Sequence, residues 1–333
     1  MMRTVVTGAG GFIGSHLVRY LKERGYQVRA VDVRYPEFED SPADEYVLAD
    51  LRDPNAARDA VRDADQVYAL AANMGGIGWT HAAPAEILHD NLMISTNTVQ
   101  ACRQAGTGTV VYTSSACVYP GYLQESPDAA PLKESDVYPA DPDMEYGWEK
   151  LTSEILCATY RKTYGMDIKV ARLHAIYGPY GCYEGLRAKS LSMLCGKVAR
   201  IDGPAGEIEV WGDGTQTRSY CYIDDCVRGL WSLAHSAADT PVNLGSQERV
   251  SVAELVELIA AVSGKAVKQR YNLDKPVGPL GRCSDNTLCR AILGWAPDTP
   301  LRDGLRSTYA WIAREVSGPA VQANEVVGEG VRR

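Results

Sequence analysis

Short apolar runs alternate with longer stretches in which apolar residues recur at helical spacing, up to about residue 170. The short runs predict buried strands, and the longer stretches predict amphipathic helices. The predicted strands are residues 3–7, 27–31, 46–48, 66–70 and 109–113, and the predicted helices are residues 16–24, 55–61, 85–104 and 145–163. This alternation is typical of an α/β fold with a doubly wound parallel sheet.

Three glycines occupy the turn between the first predicted strand and the first predicted helix. Gly8 permits a tight turn, Gly11 lets a pyrophosphate approach the backbone, and Gly14 lets the helix pack closely on the strand. The N–H groups at the start of the helix, including those of Phe12 and Ile13, would then bind the phosphates of a dinucleotide. The glycine spacing alone is weak support, because an ordinary loop can have it.

An acidic residue, Asp32, follows the second predicted strand about 20 residues after the glycine turn. A carboxylate at this point would accept a hydrogen bond from the adenosine ribose of a dinucleotide. It favours NAD over NADP, because it would repel a 2′-phosphate. Arg34 lies close enough in sequence to keep NADP open.

Residues 71–78 and 114–119 follow two predicted strands, and ligands bind beyond the carboxyl ends of such strands. We therefore expect these two segments to line one crevice.

Tyr146 and Lys150 lie four residues apart at the start of a predicted helix and so share one helix face. We expect the ammonium to lower the pKa of the phenol, which would make Tyr146 a general base.

The composition excludes several classes of protein. The 333 residues include 34 basic and 42 acidic side chains, a formal charge of −8, which argues against a nucleic-acid-binding surface. Apolar runs are too short for a membrane span, and the N-terminus lacks the apolar stretch of a signal peptide. We therefore expect a cytoplasmic protein with no membrane or nucleic-acid partner.

The nine cysteines form no CxxC pair, and the five histidines form no HExxH pattern. These patterns predict reduced thiols and no metal site. Most of the cysteines are expected to be buried apolar groups. Cys117 differs, because it lies beyond a predicted strand end, two residues after Ser115, where a catalytic thiol would reach the crevice.

Taken together, these motifs resemble those of the extended short-chain dehydrogenase/reductase family, the NAD-dependent epimerases and dehydratases of nucleotide sugars. Further runs that support the resemblance are Asp50-Leu51, Arg172 to Pro179, Trp211 to Ser219, Ile223-Asp-Asp225 and Gly294-Trp-Ala-Pro297. The resemblance implies a Rossmann domain with a smaller mixed α/β substrate domain, NAD as the cofactor and a homodimer. It also implies that Asp50, Leu51 and Ala71 contact the cofactor.

The domain organisation follows from this resemblance. We expect an NAD-binding domain over residues 1–170 and a mainly substrate-binding domain over 171–316, with the chain crossing back between them. Helices are predicted near residues 185–199, 223–237, 251–263 and 301–316. Residues 317–333 lack clear periodicity and are predicted to form a flexible tail.

Within the family, the sequence most resembles the branch that inverts C3 and C5 of GDP-mannose. The runs that support this are residues 72–78, 114–120, 132–136, 211–219 and 281–286. The resemblance implies that Cys117 and Lys189 transfer protons, while Tyr146 and Lys150 contact the cofactor and assist hydride transfer. It implies that Ser115, Cys117 and Lys189 meet the sugar, together with Gly75, Lys197, Gln216, Arg218 and Arg282 as contacts to sugar or diphosphate.

Three departures from the branch leave alternatives open. Asn73 stands where the branch has Asp, Ala175 where it has Asn, and Ala188 where it has Glu. The alternatives are inversion at C5 alone, giving GDP-L-gulose, or a 4-epimerase or 4,6-dehydratase acting on another nucleotide sugar. A non-catalytic NAD-binding regulator is a remote alternative, because such proteins usually lose Tyr146 or Lys150.

Overall fold

The computed structural model describes residues 2–318, and its main sheet contains seven parallel strands. In chain order the strands are β1 (Arg3–Thr7), β2 (Gln27–Asp32), β3 (Glu45–Leu48), β4 (Gln66–Ala69), β5 (Thr109–Ser115), β6 (Asp167–Leu173), β7 (Ile176–Tyr177), β8 (Ala205–Trp211), β9 (Thr217–Ser219), β10 (Cys221–Tyr222), β11 (Val242–Leu244), β12 (Arg249–Ser251), β13 (Ala266–Asn272) and β14 (Gly281–Arg282). The main sheet has the spatial order β3-β2-β1-β4-β5-β6-β11. Strand order reverses between β1 and β4, which is where a ligand crevice forms in such sheets.

Helices cover this sheet and build the second half of the chain. They are α1 (Phe12–Glu23), α2 (Pro54–Ala60), α3 (Ile77–Ala82), α4 (Pro84–Ala105), α5 (Glu145–Tyr164), α6 (Ser190–Ala199), α7 (Ile223–Ala234), α8 (Val252–Ser263), α9 (Thr287–Leu293) and α10 (Leu301–Ser317), with short 3₁₀ helices at Ala116–Val118, Gly121–Gln124 and Glu134–Val137. Over residues 2–318, every helix is too short or too polar to cross a membrane.

Both faces of the main sheet are buried, so alternate residues of one strand enter different cores. Val6 of β1 packs with Leu17 of α1 and Leu230 of α7 on one face. Val5 packs with Val99 of α4 on the other face. Strands buried on both faces need apolar residues at consecutive positions, which explains the short apolar runs of the sequence.

The second half of the chain forms a smaller region of helices and short sheets. Helices α6, α8 and α10 share one core, which includes Leu194 and Leu255. The short sheets pair β7 with β10, β8 with β13, and β9 with both β12 and β14. Three of the predicted substrate residues lie here: Lys189 immediately before α6, Arg218 on β9 and Arg282 on β14.

The predicted fold class is confirmed, and each strand and helix predicted in the first half is present within a few residues. The first helix begins at Phe12 rather than residue 16. The prediction of a helix over residues 185–199 is wrong at its start, because α6 begins at Ser190. Helices α3 and α9 were not predicted, since their six and seven residues are too few to establish a period.

The chain does not separate into two halves at a single point. Strand β6 spans the predicted boundary at residue 170, and the chain returns to the main sheet at β11, which pairs with β6. The division into domains stays a prediction. Of the predicted tail, Ser317 ends α10 and Gly318 caps it, whereas residues 319–333 lie outside the described residues.

A buried ion pair joins α5 to the main sheet. Glu154 of α5 accepts hydrogen bonds from Arg172 Nε at 2.9 Å and Arg172 Nη2 at 2.7 Å. The same carboxylate accepts a hydrogen bond from Ser114 Oγ on β5 at 2.5 Å. Both charged side chains are almost fully buried, so neither charge can be hydrated if the other is removed. The pair therefore fixes α5, with Tyr146 and Lys150, against the strand ends.

Substituting Glu154→Gln tests this anchor. We expect the free energy of unfolding to fall by about 3 kcal/mol, because the Arg172 charge would stay buried without its partner. Urea unfolding followed by circular dichroism measures the change. Asp303→Asn removes the solvent-exposed ion pair with Arg306 on α10 and is the matched control, for which we expect little change. Equal losses in both variants would contradict the anchoring role.

Candidate active site

The glycine turn at the end of β1 leaves room for a ligand backbone contact. Gly8 has φ of +73°, a conformation that favours glycine, and a Cβ there would lie 2.8 Å from the Ala71 nitrogen. A Cβ on Gly14 would overlap the Gly8 carbonyl, so α1 starts directly against the turn. Phe12 and Ile13 form the first turn of α1, where N–H groups are free to bind an anion. This cradle fits the pyrophosphate of NAD.

Asp32 lies beside this turn. Its carboxylate accepts hydrogen bonds from the Gly10 N–H at 2.9 Å and the Arg34 N–H at 3.2 Å. Burial raises the pKa of Asp32, and these two hydrogen bonds act in the opposite direction. Gly10 was missed by the sequence reasoning. The structure shows why a glycine is needed there, because a Cβ would overlap the Arg34 carbonyl. Arg34 is an exposed residue.

The remaining predicted cofactor residues surround the same strand ends. Ala71 donates its N–H to Thr7 Oγ1 at 3.2 Å, which holds it next to Gly8. Leu51 is buried. Asp50 differs, because Arg52 binds its carboxylate through Nε and Nη2, and this hydrogen bonding lowers the pKa of Asp50. An adenine contact from Asp50 would have to compete with that pairing.

Helix α5 touches the turn that follows β5. Ser115 Oγ accepts a hydrogen bond from the Cys117 N–H at 3.2 Å, which starts the 3₁₀ turn. A Cβ on Gly147 would overlap the Cys117 carbonyl oxygen. This close approach places Tyr146, the residue before Gly147, beside the half-buried Cys117. Gly147 was also missed, although a glycine inside a predicted helix indicates close packing.

Lys150 acts to lower the pKa of Tyr146, as expected, but its effect is smaller than that of burial, which the sequence did not predict. Burial raises the pKa of Tyr146, and the nearby Lys150 offsets only part of that effect. Lys150 Nζ lies 5.7 Å from the centre of the Tyr146 ring and donates a hydrogen bond to Tyr112 Oη at 3.1 Å. The helical spacing put both side chains on one face but contained no information about their burial.

A loop from the first half of the chain meets the segment that contains Lys189. The Gly76 N–H donates to the Arg187 carbonyl at 2.9 Å, and a Cβ on Gly76 would overlap the Ala188 carbonyl. A Cβ on Gly75 would lie 3.1 Å from the Arg187 Cα. These contacts explain why residues 71–78 contain adjacent glycines, and they hold Lys189 at the crevice.

Lys189 is the residue that caps α6. The residue as a whole keeps solvent exposure, and its ammonium is desolvated by the surrounding protein. The desolvation lowers the pKa of Lys189, while the nearby Cys117 acts in the opposite direction. Lys189 and Cys117, the two residues predicted to transfer protons, are therefore close enough for the charge of one to affect the other.

Two arginines from neighbouring strands approach Cys117. Arg218 and Arg282 are paired in register on β9 and β14. Arg282 Nη1 donates a hydrogen bond to Cys117 Sγ at 3.3 Å, its Nε donates to Gln124 Oε1, and its Nη2 lies 3.6 Å from Asp143 Oδ2. Burial and the charge of Arg282 lower the pKa of Arg218 to about 10. Adjacent guanidinium groups suit an anionic ligand.

Lys197 and Gln216 gather around Trp211 rather than at Cys117. Lys197 Nζ donates to the Glu209 carbonyl at 2.8 Å and lies 5.9 Å from the centre of the Trp211 ring. Gln216 Nε2 donates to the Trp211 carbonyl at 2.9 Å. These two residues could contact a more distant part of a long ligand.

A cavity of about 740 Å³ adjoins the residues that contact Arg282. Gln124 and Asp143, which both contact Arg282, line it, and the other walls are Thr80, His81, Gly121, Glu125, Met144, Glu145, Pro276, Gly278, Pro279 and Leu280. Gln124 and Asp143 were missed by the sequence reasoning, because nothing local connects them with residue 282. Over residues 2–318, no three His, Cys, Asp or Glu side chains cluster as metal ligands.

The sheet order, the glycine turn and the Tyr146–Lys150 helix define a Rossmann-type, NAD-dependent enzyme. The family model described as "NAD dependent epimerase/dehydratase family" matches residues 4–245. The chain belongs to this family, and NAD is its cofactor.

Similar proteins agree with this assignment. The chain is 41% identical over 331 residues to GDP-mannose 3,5-epimerase 1 of Oryza sativa subsp. indica, covering 99% of this chain and 86% of that protein. It is 40% identical over 327 residues to GDP-mannose 3,5-epimerase of Arabidopsis thaliana, covering 98% and 86%. A solved structure of MoeE5 in complex with UDP-glucuronic acid and NAD has a TM-score of 0.81 and 29% identity, covering 94% of this chain and 99% of that chain.

Substituting Arg282→Met tests the contact with Cys117. Reactive cysteines lie in electropositive surroundings, so we expect iodoacetamide to alkylate Cys117 about fivefold more slowly at pH 7.5 once the Arg282 charge is removed. Peptide mass spectrometry measures the rate, and the exposed Cys182 is the internal reference. Arg228→Met is the control, because Arg228 stacks on Trp295 instead. Alkylation of Cys117 at an unchanged or higher rate would contradict the contact.

Proposed function

We propose that the protein inverts C3 and C5 of GDP-mannose through transient oxidation at C4. The observation on which this rests is the position of Cys117, beside Tyr146 and hydrogen-bonded by Arg282. A thiol in a cationic environment suits removal of a proton from carbon. The plant relatives described as GDP-mannose 3,5-epimerases support the same activity.

Oxidation at C4 makes the rest of the reaction feasible. A sugar C–H at C3 or C5 is too weak an acid for a protein side chain, but it becomes far more acidic beside a C4 ketone. The turn at Gly8, Gly11 and Gly14 would hold NAD, which would supply reversible hydride transfer at C4. Tyr146 takes the proton of the C4 hydroxyl and later gives it back. No external oxidant is consumed, so we expect NAD to stay bound.

Inversion needs one group to remove a proton and another to return one from the opposite face of the ring. Cys117 as thiolate is proposed for removal, and Lys189 as ammonium for return. Desolvation lowers the pKa of Lys189, which makes its ammonium a stronger acid than an ordinary lysine. Ser115, next to Cys117 and at the end of β5, would hydrogen-bond the sugar.

Binding of the substrate is proposed to use charges on the second half of the chain. Arg218 and Arg282 would meet the diphosphate or the sugar, and Gly75 would let the sugar approach the backbone. Lys197 and Gln216, near Trp211, would contact the more distant part of the nucleotide sugar. The adjacent guanidinium groups support an anionic substrate, since their mutual repulsion falls when an anion binds.

Inversion at C5 alone, giving GDP-L-gulose, is a second candidate. It is considered because of two departures from the similar branch. Ala188 and Ala175 offer only methyl groups where the similar branch has Glu and Asn. Ala175 also has φ of +40°, a left-handed conformation that Asn tolerates better than Ala. A 4-epimerase or a 4,6-dehydratase is less well supported, because Cys117 supplies a thiol where those enzymes have other residues.

Proton exchange distinguishes these candidates. Purified protein is incubated with GDP-mannose in deuterated water without added NAD, and the sugar is followed by NMR. We expect deuterium at C3 and C5, together with new diastereomers. Label at C5 alone would support the gulose product. Absence of exchange and of product would contradict the proposed function for this substrate.

Substituting Cys117→Ala tests the proposed base in the same assay. We expect exchange to fall on the order of 100-fold, because proton abstraction loses its general base. Cys182→Ala is the matched control, since Cys182 is an exposed thiol whose Sγ lies near the Glu184 carbonyl. Normal exchange in Cys117→Ala would exclude the proposed role of this thiol.

A homodimer is part of the proposal. Helices α4 and α5 pack together and leave apolar side chains exposed, among them Met93, Trp148 and Ile155. On α5 the exposed positions 148, 152, 155 and 159 form one uncharged stripe. Such a face is typical of a surface that a second copy covers.

Substituting Ile155→Glu tests the dimer. We expect the variant to sediment as a monomer, because burying an unpaired carboxylate at the interface is unfavourable. Leu273→Glu, at an exposed position on the substrate half, is the control and should leave the mass unchanged. A wild-type monomer in sedimentation velocity, or a dimeric Ile155→Glu, would contradict the proposed interface.

We also infer a cytoplasmic location. All nine cysteines are free thiols, and the proposed reaction requires Cys117 to remain reduced. A reducing compartment preserves such thiols.

A further inference from the structure

A buried acid stands next to the lysine of the proposed oxidation site. Glu149 has no solvent exposure, and the Lys150 side chain is 3% exposed. Their charged groups lie 3.7 Å apart, from Glu149 Oε1 to Lys150 Nζ. A buried carboxylate is unfavourable unless it is paired, so its presence here calls for a physical reason.

Asn91 of α4 holds this carboxylate in place. Its Nδ2 donates to Glu149 Oε1 at 2.9 Å and to the Asn73 carbonyl at 3.1 Å. Its Oδ1 accepts a hydrogen bond from the Asn73 N–H at 2.6 Å. Asn91 therefore joins Glu149 to the loop that continues to Gly75 and Gly76. The other carboxylate oxygen, Glu149 Oε2, is buried and receives no hydrogen bond within residues 2–318.

We propose that Glu149 is a positioning residue that holds Lys150 as a buried cation at Tyr146, with Asn91 fixing Glu149 to the Asn73 loop. The arrangement deepens the proposed function, because a proton leaves the C4 hydroxyl only if a positive charge stabilises the Tyr146 phenolate. Lys150 supplies that charge, and Glu149 keeps Lys150 protonated despite its burial.

The surrounding groups agree with this role. Burial acts to lower the pKa of Lys150, but Glu149, Tyr112 and Tyr146 act in the opposite direction and raise it overall. Tyr112 belongs to β5, and its Oη also contacts Ser95 Oγ of α4 at 3.1 Å. Cys157, two turns further along α5, is another titratable group that Lys150 influences. Among the groups that act on the pKa of Lys150, Glu149 is the carboxylate.

The charge of Lys150 can be measured without any sugar substrate. Protein labelled with ¹³C at lysine Cε is titrated by NMR from pH 6 to 10.5 with its bound NAD, and Lys150→Arg assigns the resonance. We expect wild-type Lys150 to stay protonated through this range. In Glu149→Gln we expect Lys150 to lose its proton inside this range, a downward shift of several pH units, because its burial is then no longer opposed by a neighbouring carboxylate.

Glu145→Gln is the matched control, because Glu145 is an exposed acid at the start of the same helix. It should leave the Lys150 resonance unchanged. A Lys150 that titrates identically in wild-type and Glu149→Gln protein would overturn the proposal. Because this measurement uses no GDP-mannose, its failure is distinct from failure of the proposed function.

A second experiment covers the case in which Glu149→Gln folds poorly. Glu149→Gln is introduced into wild-type and into Lys150→Met protein, and urea unfolding midpoints are compared. We expect the substitution to lower the midpoint in the wild-type background and to raise it in the Lys150→Met background, where Glu149 has lost its cation. Equal shifts in both backgrounds would overturn the proposal.

If GDP-mannose is turned over, its pH profile adds a third readout. Removing the buried negative charge makes loss of a proton from the Tyr146–Lys150 pair easier, whichever group loses it. We therefore expect the pH profile of kcat in Glu149→Gln to move to lower pH. A purely structural role would lower kcat at every pH without moving the profile, and that result would contradict the electrostatic role.

Discussion

The close approach of Gly147 to the Cys117 carbonyl fixes the geometry of the whole site. Any side chain at position 147 would push α5 away from the turn that follows β5. Because Tyr146 precedes Gly147, the groups proposed for oxidation and for proton transfer are held together by one backbone contact. The buried Glu154–Arg172 pair secures the same helix one turn after Lys150. A reaction in which two steps act on one sugar ring requires such closeness.

The positively charged side chains around this contact match the negative charges of the proposed reaction. The protein as a whole is acidic, yet Lys150, Lys189, Arg218 and Arg282 converge on the crevice. In the proposed reaction, these cations oppose the negative charges of the Tyr146 phenolate, the Cys117 sulfur and the substrate diphosphate. The acids beside them, Glu149 for Lys150 and Asp143 for Arg282, hold the cations in position. Positive charge is therefore concentrated in the crevice by local ion pairs, and the protein surface as a whole does not need to be basic.

The sequence predicted the fold class and much of the crevice because those features have local signatures. Gly8, Gly14 and Asp32 follow from the spacing of one strand-turn-helix unit, and the structure brings them together. Contacts between distant segments, such as Gln124 with Arg282, leave no periodic pattern.

Burial is what the sequence could not predict at Tyr146. The spacing of Tyr146 and Lys150 predicted a shared face but not the desolvation that raises the Tyr146 pKa. The start of α6 was misjudged for a related reason. Residues 185–189 are held by contacts with the Gly75–Gly76 loop, and these tertiary contacts override local helical preference.

The central claim is that C4 of the sugar is transiently oxidised and then reduced again. Stopped-flow absorbance at 340 nm tests this claim most directly. The enzyme with its bound NAD is mixed with GDP-mannose and, separately, with GDP-mannose carrying deuterium at C4. The account predicts an absorbance rise from nicotinamide reduction that precedes epimerised product and is slowed severalfold by the deuterium. Epimerised product from the wild type, with no absorbance rise in either the wild type or Cys117→Ala, would contradict it.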